Sequence, residues 1–232
     1  MLDIFIGYDP RESVAYHTLA HSILRRSSMP ISVAPLVQSQ LRGIYRRPRG
    51  PTESTEFSLT RFLVPALSEY RGWSVFMDCD MLCRTDIAAL AAEIERQADK
   101  AVLVCKHDYT PRTERKFLDQ VQTKYTRKNW SSLMVFNNER CRSLSADYVN
   151  SASGLELHRF AWIDDGAIGE LALEWNWLVG EYPYNAAAKI VHFTIGGPYF
   201  EEYRGCEYAA EWFAERDSMN AVQQRAKALA AS

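Results

Sequence analysis

Cysteine is scarce in this sequence: five residues are scattered along the chain, and no two of them form a CxxC pair. An odd number of separated cysteines argues against a disulfide framework, and the lack of CxxC pairs argues against a zinc–cysteine site. Free thiols of this kind suit a reducing compartment. We therefore expect a cytoplasmic protein without disulfide bonds.

Long apolar runs and an excess of one charge are missing as well. No segment approaches the roughly 20 apolar residues that cross a bilayer, and residues 1–6 lack the basic region of a signal peptide. Lysine and arginine number 27 against 29 aspartate and glutamate residues, which gives a net charge of −2. We therefore expect peripheral membrane contact at most and no nucleic-acid partner.

Alternating apolar segments indicate how the chain is organised. With 232 residues, 47% of them hydrophobic, the chain can bury one substantial core, so a single domain is expected. Strand-like segments alternate with helix-like segments, which predicts an α/β fold. The predicted strands cover residues 4–6, 31–36, 73–77, 101–105, 133–136 and 190–193, and the predicted helices cover residues 12–26, 57–67, 86–97, 139–149 and 208–230.

The motif Asp78-Cys79-Asp80 interrupts an apolar run that begins at Trp73 and ends at Leu82. Residues two apart share a face of a strand, so both carboxylates can approach one point beyond the sheet edge, where open α/β sheets bind ligands. Paired carboxylates repel each other, and a bound divalent cation removes that repulsion. The motif therefore predicts a metal site. In the alternative, one aspartate caps the next segment and the other is solvated.

Three other polar segments are candidates for ligand binding. Residues 110–128 mix basic and aromatic side chains, and Asp164 and Asp165 follow an apolar stretch at residues 160–163. For each of them a solvated surface or a helix cap is the structural alternative. The third segment, residues 38–56, is a basic loop rich in glycine and proline that contains Arg42, Arg46, Arg47 and Arg49.

Together these motifs resemble the retaining glycosyltransferases of family 8, the glycogenin and bacterial galactosyltransferase type. The resemblance rests on the β-loop-α opening, the strand that ends in DxD, and the late segment from His192 to Tyr199. Residues 59–67 and 130–137 are also similar to family segments. The resemblance implies a GT-A type fold, with a Rossmann-like mixed central sheet flanked by helices in a single domain. Within it, residues 1–105 form the nucleotide-binding half, 106–206 the acceptor and metal-completing half, and 207–232 a C-terminal helix.

The resemblance also implies a function and a set of site residues. The function is transfer of a sugar from a nucleotide-sugar donor, a UDP-sugar, to a glycan, lipid-linked or protein acceptor with retention. Asp164 and Asp165 are implied as catalytic residues beside the reacting carbon. Mn²⁺ (or Mg²⁺) is implied as the cofactor, held by Asp78, Asp80 and His192. The implied donor-binding residues are Gly7, Tyr8, Asp9, Arg61, Asp78, Gly196 and Gly197.

Some residues depart from the family pattern and indicate a divergent subfamily. The family lysine that reaches the donor diphosphate is Gly197 here, Trp130 replaces an asparagine, and an Asp-Gln-Asp segment becomes Asp164-Asp165-Gly166. We hypothesise that arginines of residues 42–49 or 112–128 replace the missing lysine. Two alternatives stay open: a haloacid dehalogenase-type phosphatase that uses the DxD, and a non-catalytic nucleotide- or carbohydrate-binding module.

Overall fold

The computed structural model describes residues 1–50, 53–108 and 127–221, together with the backbone of residues 115–116 and 120–121. The described helices are α1 Ser13–Arg26, α2 Val64–Leu67, α3 Ala89–Arg96, α4 Ala146–Ser151, α5 Gly154–His158 and α6 Ala209–Asn220. The described strands are β1 Leu2–Tyr8, β2 Ile31–Val37, β3 Trp73–Met77, β4 Met81–Cys83, β5 Val102–Cys105, β6 Arg115–Lys116, β7 Gln120–Val121, β8 Leu133–Asn137, β9 Ile168–Leu171, β10 Trp177–Leu178 and β11 Ile190–His192.

Six of the described strands form the main sheet, in the order β2-β1-β3-β8-β5-β9. Strand β8 runs antiparallel to both of its neighbours, whereas the other pairs are parallel. Strands β1 and β3 therefore end at the same edge of the sheet, and β8 begins there. This mixed sheet confirms the predicted α/β class, and β3 has the bounds that the sequence predicted.

The core lies on both faces of this sheet. Every residue of β5 is fully buried, and so are the last four of β3 and the first four of β8, as expected for strands covered on both sides. Helix α1 packs Ala15, Leu19 and Ile23 into the core at spacings of four residues, which places them on one helix face. All five cysteines lie in described segments and carry free thiols.

A second, small sheet of the described strands has the order β10-β11-β4. Strand β4 follows the DxD directly and runs antiparallel to β11, with Met81 opposite His192. The chain thus leaves the main sheet at the end of β3 and enters the small sheet at β4. The DxD lies at the junction between the two sheets, where β11 brings His192 beside it.

Some sequence predictions differ from the structure. A helix cap at Asp164 or Asp165 would require a helix after them, but a single 3₁₀ turn, Asp165–Ala167, follows and leads into β9, whose pairing with β5 determines the backbone there. Of the helix predicted over residues 208–230, Ala209–Asn220 is observed, with Tyr208 and Ala221 as its caps, and residues 222–230 lie outside the described residues. Most of residues 110–128 also lie outside them. No helix in the described parts of the chain has both the length and the apolarity to span a bilayer.

Candidate metal centre

Three side chains predicted from the sequence to bind a metal meet at this junction. The Asp78 backbone N–H donates to the Ser132 carbonyl at 2.9 Å, and the Phe193 N–H donates to the Asp80 carbonyl at 2.9 Å. These bonds hold the DxD between the start of β8 and the end of β11. One ligand atom each of Asp78, Asp80 and His192 consequently lies within 4.8 Å of the others. His192 Nε2 is 3.2 Å from Asp80 Oδ1 and 4.0 Å from Asp78 Oδ2.

The chemistry of this cluster fits a divalent cation. Two carboxylates and one imidazole form a donor set that suits Mn²⁺, and Mg²⁺ shares the preference for carboxylate oxygen. Asp80 Oδ1 is buried and accepts no hydrogen bond within the described parts of the chain. A buried carboxylate oxygen in that position is costly unless a cation or a donor satisfies it.

Arg61 places a positive charge directly against the first aspartate of the DxD. Its guanidinium is buried, lies 2.8 Å from Asp78 Oδ1 and donates to the Ser131 carbonyl at 2.9 Å. The same guanidinium lies over the Phe76 ring, 4.9 Å from its centroid. Arg61 therefore fixes one oxygen of Asp78 and leaves Oδ2 on the side of His192.

Glu12 is a site residue that the sequence analysis missed. Its side chain is only 2% exposed, and its Oε2 accepts a 2.5 Å hydrogen bond from the Tyr199 hydroxyl. Burial, followed by the negative charge of Asp80, raises the pKa of Glu12 to about 8. A protonated carboxyl thus lies behind the DxD and joins the turn after β1 to the loop after β11. A single glutamate in a turn gives no sequence signal for this role.

The residues predicted to contact the nucleotide lie at the end of β1. Asp9 accepts hydrogen bonds from the backbone N, Nε and Nη2 of Arg11 and from the Glu56 N–H. Burial acts to raise the pKa of Asp9, but these hydrogen bonds outweigh it and hold the pKa below its usual value. A Cβ at Gly7 would come within 2.3 Å of the Phe57 ring, and Tyr8 packs edge-on against Tyr16. Gly7 and Asp9 thus have structural roles here, and their contact with a nucleotide stays a prediction.

The two predicted glycines after β11 lie beneath aromatic rings. A Cβ at Gly196 would come within 2.3 Å of the Tyr203 ring, and a Cβ at Gly197 within 2.1 Å of the Tyr199 ring. Glycine therefore allows both rings to pack closely on this loop. The contact of this loop with a diphosphate stays a prediction.

The two predicted catalytic aspartates are exposed and lie in the turn before β9. Asp165 Oδ1 is 2.6 Å from Nη2 of Arg127, and Cζ of the same guanidinium is 5.3 Å from the Trp130 ring centroid. This ion pair connects Asp165 to the segment that continues into Ser132 beside the DxD. Asp164 occupies the N-cap position of the turn, but its side chain makes no capping hydrogen bond. The capping alternative is thus wrong for Asp164, and the catalytic role stays a prediction.

The basic loop is attached largely to α4 and the residue that follows it. Arg46 pairs with Asp147 at 2.7 Å, and Arg47 donates to the backbone carbonyls of Val149 and Ala152. Arg49 reaches in a different direction and donates to the Ser54 carbonyl at 3.0 Å.

Arg11 donates to the same Ser54 carbonyl at 2.7 Å. The guanidinium groups of Arg49 and Arg11 therefore converge beside Asp9. This contact joins the basic loop to the end of β1.

Comparison with known proteins supports this description. No family model matches the sequence. The structure is similar to that of the galactosyltransferase LgtC in complex with donor and acceptor sugar analogues, with a TM-score of 0.59 and 12% identity over 96% of this chain and 98% of LgtC. It is also similar to the bifunctional glycosyltransferase WbbM, with a TM-score of 0.59 and 12% identity over 92% of this chain. The match covers 51% of WbbM, so this chain spans about half the length of that protein.

These similarities show the GT-A fold and confirm the fold prediction. In sequence, the chain is 45% identical over 227 residues to Protein CDI of Arabidopsis thaliana, a match that covers 94% of this chain and 86% of the plant protein. The chain belongs to the same protein family as Protein CDI.

Proposed function

We propose that this chain is a metal-dependent glycosyltransferase that moves a sugar from a UDP-sugar to a hydroxyl acceptor with retention. The observation that carries the proposal is the Asp78, Asp80 and His192 cluster at the edge of a GT-A sheet. The UDP donor and the retention rest on the resemblance to family 8. The acceptor class, whether glycan, lipid or protein, is left open by the site.

Asp78, Asp80 and His192 would hold Mn²⁺ or Mg²⁺. When bound, the cation supplies positive charge that neutralises the departing diphosphate of the donor. Arg61 keeps Asp78 in place before any ligand arrives, because it binds one carboxylate oxygen and the Ser131 carbonyl together. Such preorganisation lowers the barrier, since the charged groups need not rearrange during the reaction.

The end of β1 is proposed to bind the nucleotide, because ligands of open α/β sheets bind beyond the carboxyl ends of the strands. Tyr8 offers a ring for the base. Gly7 is buried against the Phe57 ring, so its proposed part is to let the end of β1 pack closely there. Contact of Asp9 with the ribose or the base would exchange one of its present hydrogen bonds. Arg11, whose side chain is 35% exposed, and Arg49 are proposed to supply the charge of the missing lysine.

Asp164 and Asp165 are proposed to act at the reacting carbon. A carboxylate there would stabilise the positive charge that develops on the sugar ring in the transition state. Asp164 is exposed and makes no capping bond, which supports a ligand-facing role. Asp165 is paired with Arg127 at 2.6 Å, and this ion pair would have to open before its carboxylate could act at the reacting carbon.

The test is a screen of the purified protein against UDP-, GDP- and CMP-sugars, with Mn²⁺ or with a chelator. We expect Mn²⁺-dependent thermal stabilisation by UDP-sugars, together with slow Mn²⁺-dependent hydrolysis of the donor. Stabilisation without any turnover, with or without added hydroxyl acceptors, would support the binding-module alternative. Neither stabilisation nor turnover with any donor would refute the proposed function.

A further inference from the structure

Asn176 is a fully buried asparagine that contacts His192 on the side of the imidazole away from Asp78 and Asp80. It ends the 3₁₀ turn Leu173–Asn176, directly before β10. Its Oδ1 lies 3.0 Å from Nδ1 of His192, and its Nδ2 lies 2.8 Å from Ser132 Oγ and 3.3 Å from the Asn129 carbonyl. Each polar atom of the amide therefore has a partner.

The orientation of this amide follows from the chemistry of its partners. The Asn129 carbonyl can only accept hydrogen bonds, and the Ser132 hydroxyl donates its hydrogen to that same carbonyl at 2.7 Å. Both atoms can therefore only accept from Asn176, which requires the NH₂ group on their side. Oδ1 then faces the imidazole, and His192 must donate its Nδ1–H.

We infer that Asn176 is a positioning residue that fixes His192 as the Nδ1–H tautomer, with the Nε2 lone pair directed at Asp78 and Asp80. The partner of one imidazole nitrogen decides the tautomer and the direction of the other. Nε2 lies 3.2 Å from Asp80 Oδ1 and 4.0 Å from Asp78 Oδ2. The value of this arrangement for a cation rests on the proposed function, whereas the tautomer itself does not.

Ser132 connects this network to the other side of the site. Its Oγ accepts from Asn176, and its carbonyl accepts from the Asp78 N–H. One residue therefore holds both the partner of His192 and the first aspartate of the DxD. The network sets the separation of the ligand groups before a cation binds.

The first measurement is the affinity for Mn²⁺ alone, without nucleotide, by electron paramagnetic resonance of free Mn²⁺. Asn176→Leu removes the acceptor, and we expect about 10–100-fold weaker binding, the usual effect of losing the partner of a ligating histidine. Asn138→Leu is the matched control. Asn138 is equally buried and accepts from Ser74 Oγ while donating to the Arg71 carbonyl, with no contact to His192. This control should lose stability and keep the Mn²⁺ affinity of the folded protein.

The second measurement is the tautomer itself, from long-range ¹H–¹⁵N spectra of metal-free protein at a pH where histidine rings are neutral. The chain has five histidines, and His192→Gln identifies the signal. We expect Nδ1–H in the wild type and in Asn176→Asp, which keeps an acceptor, and a loss of that preference in Asn176→Leu. If Asn176→Leu does not fold, the wild type and Asn176→Asp complete the test.

An Nε2–H tautomer in the wild-type protein overturns the inference. The inference is also overturned if folded Asn176→Leu binds Mn²⁺ as tightly as the wild type and keeps the same His192 tautomer. A wild-type protein that shows Nδ1–H but binds no Mn²⁺ refutes the metal role proposed above and supports the tautomer assignment. The two failures are therefore distinguishable.

Discussion

Replacement of Glu12 by glutamine should change how the stability of the metal-free protein depends on pH. The Glu12 carboxyl is buried beside Asp80, and its pKa rises from an ordinary 4.5 to about 8. The folded state therefore keeps a proton on Glu12 that the unfolded state has released across this pH range. The stability that this proton contributes is fully present below the pKa of Glu12 in the unfolded state. It is lost progressively as the pH rises through about 8, the pKa in the folded state.

The expected size follows from proton linkage. In the middle of the window the folded state binds about one more proton than the unfolded state, so this group lowers the unfolding free energy by about 1 kcal/mol per pH unit. Glutamine cannot ionise, keeps an oxygen for the Tyr199 hydroxyl and has nearly the same volume. Glu12→Gln should therefore gain stability relative to the wild type as the pH rises, by a total on the order of a few kcal/mol.

The assay is urea unfolding at several pH values between 5 and 8, with a chelator present throughout. Glu156→Gln is the control, because hydrogen bonds from Ser153 lower the pKa of this exposed carboxyl. Its effect on stability should stay constant across the same window. Parallel stability curves for Glu12→Gln and the wild type would refute the protonated Glu12 and the burial argument behind it.

Three other predictions concern ligands. Asp80→Asn should weaken Mn²⁺-dependent UDP binding by at least about 100-fold in a calorimetric titration, since even outer partners of a metal cost about 10–100-fold; undiminished binding would remove the metal role. Arg49→Ala should weaken donor binding about two- to fivefold at low salt and less at higher salt, whereas Arg46→Ala should not; equal effects would contradict a local role. Asp164→Asn and Asp165→Asn should lower kcat by orders of magnitude at nearly unchanged donor affinity, and full activity in both would exclude these groups from catalysis.

The sequence determined the long elements and the acidic motif. Strand β3 was predictable because it is a continuous buried run, and helix α1 because it buries one face. Both patterns can be recognised from the spacing of apolar residues in the sequence. The sequence also placed Asp78 and Asp80 at the end of a buried strand, where a pair of carboxylates has a chemical consequence. His192 was predicted as a metal ligand only from the family resemblance, because no local sequence pattern relates it to the DxD, which is distant in the chain.

Tertiary structure decided the short strands and the partners of the buried polar groups. Strands β4, β9 and β10 have two to four residues and exist because neighbouring strands satisfy their backbone hydrogen bonds. For the same reason the chain after Asp165 extends along β5 and does not form a helix. The protonation of Glu12 and the orientation of Asn176 depend on contacts with Tyr199, Asp80 and His192, which only the folded chain brings together.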